Sequence, residues 1–148
     1  ASRALAVIPS DTVNIPNPAM LAISSTTTGA SAGKLIDAAG DFVNKGVKIG
    51  DIVYSGTTVA ATVTAVDSAT QLSVSTAVAT ATAYKLYSND APNNGCVLYV
   101  GGAGDVELIT AGGDDLIFTG DLAGSFIPVQ ITRVKATSTT ATGIIALW

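Results

Sequence analysis

The 148 residues suffice for one ordinary domain or two very small ones; 48% are hydrophobic but only 5% aromatic, so any core must be built from Val, Ile, Leu and Ala. Charged residues make up 12% with a formal charge of −4, and the seven basic residues are scattered from Arg3 to Lys135, which offers phosphates no cationic patch and argues against nucleic acid as a partner. There is no histidine, which removes Ser-His-Asp, Cys-His and most zinc-hydrolase schemes, and the mean hydropathy of +0.49 arises without the ~20 consecutive apolar residues of a spanning helix, so no membrane partner is expected.

Residues 1–19 carry Pro9, Pro16 and Pro18, which exclude regular helix and deny a central strand its donors. The segment reads as an extended arm. Leu5, Val7, Ile8, Val13 and Ile15 recur along it with partial alternation, suiting an edge strand laid against its own domain or against a neighbouring subunit, and these five are candidate protein-interaction residues. The opening apolar run is too short for a signal peptide, so synthesis in the cytoplasm, with an initiator Met removed before Ala1, is expected.

From 20 to 90 the pattern is that of short strands rich in β-branched residues: Met20–Ser24, Lys34–Asp37, Val47–Tyr54, Val59–Val66, Gln71–Ser75 and Ala83–Tyr87. Gly46, Gly50-Asp51, Ser55-Gly56 and Asp67-Ser68 supply the turns between them. The spacing predicts a small β-barrel-like module of roughly five or six strands, with a hairpin across Asp67–Thr70. Residues 37–48 have room for one helical turn at most, because Gly40 and Gly46 oppose more.

Ser88–Gly95 concentrates turn formers and is the best domain boundary in the chain. Beyond it, Cys96–Val100, Asp105–Thr110, Asp115–Thr119, Ile127–Ala136 and Gly143–Leu147 predict a compact antiparallel β-sandwich-like module over residues 95–148. Along Ile127–Val134 an alternating apolar face leaves Arg133 turned toward solvent or a partner. Trp148, a large amphipathic ring, is either docked in the core or offered to a neighbour.

Little here suggests chemistry. Cys96 reads as a small buried apolar side chain. Gly29–Lys34 has three residues between its glycines and Leu35 after the lysine, where a phosphate-binding loop needs four residues and Ser or Thr. Asp114 and Asp115, with Asp105, Glu107 and Asp121 nearby, could collect a calcium ion, but Asp in a Gly-Gly-Asp-Asp turn is favoured for its backbone alone. No catalytic residue, metal or cofactor is expected, and the chain is read as a non-enzyme.

The stretch Phe126–Trp148, with its Pro-Val-Gln, Arg-Val, Ala-Thr, Thr-Thr-Ala and Ala-Leu-Trp elements, resembles the C-terminus of small virion structural proteins of tailed bacteriophages. Lys34–Asp37, Phe42, Gly46-Val47, Gly50–Tyr54, Ala61–Asp67, Gln71-Leu72 and Tyr84 are similar to a β module recurrent in phage structural proteins. The resemblance implies a capsid decoration (cement) protein on the head surface. Its partners would be the major capsid protein and further copies of itself, most simply as a homotrimer. A tail, spike or head-fibre component is the alternative within that class, and a carbohydrate-binding β module the alternative outside it.

Overall fold

Branched apolar residues alternating with Thr, Ser and Ala, broken every few residues by Gly or Asp, favour short pleated strands over helix. In the computed structural model, which describes residues 1–148, the strands are β1 (Ala4–Ala6), β2 (Leu21–Thr26), β3 (Lys34–Ile36), β4 (Ile52–Ser55), β5 (Val59–Val66), β6 (Gln71–Val74), β7 (Ala83–Tyr87), β8 (Cys96–Val100), β9 (Val106–Thr110), β10 (Asp115–Phe118), β11 (Ser125–Val134) and β12 (Ile144–Leu147). The protein is all-β, and the one helical piece is a 3-10 turn at Pro18–Met20. Two units divide the chain: residues 1–18 with 93–148, and residues 19–92.

The second unit is a six-stranded antiparallel sheet in the order β2-β7-β4-β5-β6-β3. It is not the barrel that the spacing suggested: the sheet is open, and only Gly29, in the connection after β2, forms an isolated bridge to Ile36 of β3. Leu35, Phe42, Val53, Ala61, Val63, Leu72 and Leu86 fill its core and are fully buried. The strand expected over Val47–Tyr54 begins only at Ile52. The reason is Asp51: its Oδ2 accepts the Lys48 amide at 3.0 Å and its Oδ1 the Asn89 amide at 3.0 Å, which with Gly50 at φ +97° makes a turn of 48–51. Residues 41–46, where the glycines leave room for one helical turn at most, form a hydrogen-bonded turn and no helix, the Lys45 amide donating to Asp41 O at 3.0 Å.

The first unit holds the other sheet, in the order β1-β12-β8-β11-β9-β10. Its long strand β11 pairs with β8 through Ser125–Ile127 and with β9 through Arg133–Val134, with register shifts on either side of Ile131. On the two sides of β11, Leu98 and Val100 of β8 share a core with Val106 and Leu108 of β9. Pro128 falls in the irregular stretch, where no ladder donor is needed.

Residues 1–18 are not a separate arm. β1 pairs antiparallel with β12, Ala4 opposite Leu147, and the amides of Ser10 and Ile15 donate to Val134 O and Thr132 O at 2.8 and 2.9 Å. Ile8, Val13 and Ile15 are buried, and Leu5 and Val7 pack against the same core. Of the two settings the sequence left open, the segment takes the one against its own domain, and residues 19–92 are inserted between β1 and the five strands that complete its sheet.

Candidate interaction surface

The seven candidate interaction residues all lie in the first unit, and most are consumed there. Ile8, Val13 and Ile15 face the core, so they are not available to a partner as the apolar strip of the sequence suggested. Each buried side chain of this size contributes about 1.5–3 kcal/mol before the cost of ordering the backbone, reason enough for the segment to fold back. Arg133, expected to face outward, is half-buried: its Nε donates to Asn14 Oδ1 at 2.8 Å and its guanidinium to Asp11 O at 3.2 Å. Asp11 in turn accepts the amides of Ala136 and Thr137 at 2.9 and 3.0 Å and the Thr137 hydroxyl at 2.5 Å. Those donors, the Thr137 hydroxyl first, hold the Asp11 carboxyl below its ordinary value.

Trp148 is half-buried against the core, its Nε1 donating to Asn93 Oδ1 at 3.2 Å. Asn93 also accepts the Gly95 amide and gives its Nδ2 to Ile131 O. Beside it, burial pushes the Cys96 thiol up to about 11, so the side chain is a protonated packing group.

The acidic residues are occupied individually. Lys135 bridges Glu107 and Asp115 at 3.1 and 2.9 Å, Asp114 accepts the Thr110 hydroxyl, Asp105 the Gly120 amide, and Asp121 the Ala123 amide. In the second unit Lys34, the one cation of the glycine loop, is bound to Asp67 at 2.9 Å and to Ser73 at 2.7 Å.

What the structure brings together instead is an apolar row that the sequence reading missed. Ala6 of β1 lies opposite Ile145 of β12, Ile145 opposite Tyr99 of β8, and Tyr99 opposite Phe126 of β11. Directly opposed residues share a face, and this face is not the one that carries Leu5, Ala146, Leu98 and Ile127 into the core. Ala4, Leu147 and Val97 make a second row beside it. Phe126 is 64% exposed and tilts against Tyr99 with ring centroids 5.3 Å apart. The signal was present in Cys96–Val100 and Ile144–Leu147, which are continuous apolar runs and not alternating ones: both faces of such strands are apolar.

No family model, curated protein or solved structure matches the chain. No helix is long and apolar enough to cross a membrane.

Proposed function

We propose that the protein is a structural virion component, most simply a capsid decoration protein that binds the major capsid protein on the head surface. The observation that carries this reading is the apolar row ending in Phe126, a large exposed ring at the end of a row across four paired strands. An exposed aromatic anchor with apolar neighbours has the composition of an interface core, where aromatic residues are enriched and charged ones depleted. The resemblance of Phe126–Trp148 to phage virion proteins covers two of these four strands, β11 and β12. Many weak copies of such a contact, repeated over a shell, combine through multivalency.

Quantitative mass spectrometry of particles from the phage that encodes the chain tests this. Hundreds of copies per particle are expected; a dozen or fewer would move the protein to the tail, and none would remove it from the virion. Phe126→Ser should leave the melting temperature unchanged and reduce rebinding to particles stripped of the protein by at least about tenfold. Unchanged rebinding would rule out this face as the adhesive one.

A further inference from the structure

The first unit's sheet ends in two open edges, β1 and β10. At β1, Arg3 and Trp148 exchange backbone hydrogen bonds and the Val7 amide donates to Ile144 O. By the alternation of an antiparallel ladder, the peptide groups of Ala4 and Ala6, opposite Leu147 and Ile145, therefore point away from β12. At β10, the Thr110 amide donates to Asp114 O, so the peptide groups of Asp115 and Ile117, opposite Ile109 and Glu107, point away from β9. Leu116 and Ile117 are 49% and 50% exposed, one on each face of β10. An open edge flanked by bare apolar side chains is a template for another strand.

Charge selects which strand. Arg3 is exposed and has no ion-pair partner in its own chain, whereas β10 is flanked by acids, with Asp114 before it, Asp115 at its start held by Lys135, and Asp121 and Asp105 at its far end without a cation. Pairing β10 with β10 of a second copy would leave Asp121 and Asp105 of each facing Asp114 of the other, with no new cation beyond the Lys135 that Asp115 and Glu107 already share. Pairing it with β1 sets a cation there instead.

We propose that the chain associates with itself head to tail, the β1 edge of one copy adding antiparallel to the β10 edge of the next. β1 and β10 run in opposite directions within one sheet, being separated by five successive antiparallel pairings. A β1 edge of one copy can therefore meet the β10 edge of the next in antiparallel sense, and such a heterologous contact closes a ring when its rotation divides a full turn. In the register that matches both outward pairs, Ala4 of the second copy lies opposite Ile117 and Ala6 opposite Asp115. Arg3 of the second copy then comes beside Phe118 at the end that leads to Asp121. The inference stands with or without the virion reading.

Sedimentation of the full chain over a range of concentrations tests it. The wild type is expected to self-associate with increasing concentration. Ile117→Pro, which removes an outward donor and leaves the β9 ladder intact, and Arg3→Glu should each raise the dissociation constant at least about tenfold with unchanged melting. Adding Asp121→Arg to Arg3→Glu should restore association. A wild type that stays monomeric up to about millimolar concentration, where a contact this weak is negligible, or an oligomer indifferent to Arg3→Glu, overturns the proposal. A second measurement does not depend on the proline variant folding. Opposed Cα atoms in such a hydrogen-bonded pair lie about 5.5 Å apart, within disulfide range. Ala4→Cys and Ile117→Cys chains mixed in equal amounts and mildly oxidised should therefore cross-link with each other in preference to themselves, and predominant Ile117→Cys homodimers would overturn the head-to-tail arrangement.

Discussion

Trp148 Nε1 donates a 3.2 Å hydrogen bond to Asn93 Oδ1, joining the end of the last strand to the point where the chain re-enters its first unit. Because Asn93 also takes the Gly95 amide and reaches Ile131 O, the loss of either partner loosens the start of β8. Trp148→Phe keeps most of the ring's contact area but removes the donor, and should cost about 1 kcal/mol in denaturant unfolding. Asn93→Ala, which takes the acceptor from both the indole N–H and the Gly95 amide, should cost more, about 2 kcal/mol.

Deleting residues 1–16 should unfold the first unit and spare the second. The deletion removes β1 from beside β12 and takes Ile8, Val13 and Ile15 out of the core. Trp148 is the sole tryptophan and belongs to the first unit, so its fluorescence should red-shift to that of an exposed indole. A separately expressed 19–92 segment should still melt cooperatively by far-UV circular dichroism. A native tryptophan spectrum in the truncated protein would contradict this.

In the second unit the Tyr84 hydroxyl donates to Asp37 Oδ2 at 2.6 Å, with both residues buried. Burial raises the Asp37 carboxyl, but hydrogen bonds from Tyr84, Ser25 and the Ala39 amide outweigh it and leave the group below its ordinary value. Asp37→Ala leaves a buried phenol without its acceptor and should destabilise by about 1–3 kcal/mol. Since the folded value is the lower one, the stabilisation is present at neutral pH and lost as pH falls below about 4, so the difference between the wild type and Asp37→Ala should shrink there.

Asp67 offers an exposed counterpart. Hydrogen bonds from Gln71, Lys34 and Ser73 lower its carboxyl to about 2. Its contribution should likewise be complete above the unfolded value near pH 4 and fade as pH falls through about 2. Asp67→Asn should therefore lower the melting temperature at pH 7 and lower it much less at pH 2.

Gly104 sits at φ +135°, and a Cβ there would lie 2.5 Å from the Ala141 amide nitrogen. Neither the strained backbone nor the contacting main chain can give way cheaply. Gly104→Ala should cost at least about 2 kcal/mol in urea unfolding, whereas Gly113→Ala, equally left-handed at φ +92° but with open space around it, should cost less.

Local chemistry carried much of the secondary structure. Val59–Val66, Ala83–Tyr87 and Cys96–Val100 were legible to the residue because β-branched and aromatic runs end at turn formers, and both signals lie within a few positions of the strand itself. The prolines of the first 18 residues likewise excluded helix on steric grounds alone. Which strand Leu5 would pair with was not legible. Ala146 lies 141 positions away, and its apolar side chain is no more complementary to Leu5 than many others. The same limit hid the row through Ile145, Tyr99 and Phe126: each side chain is unremarkable in its own strand, and the row exists only because three non-consecutive strands adopt one register. Residue type fixed which segments could be strands. The choice of neighbours, and with it which apolar side chains were buried and which were left for a partner, was made by the packing of one shared core, a quantity no single segment contains.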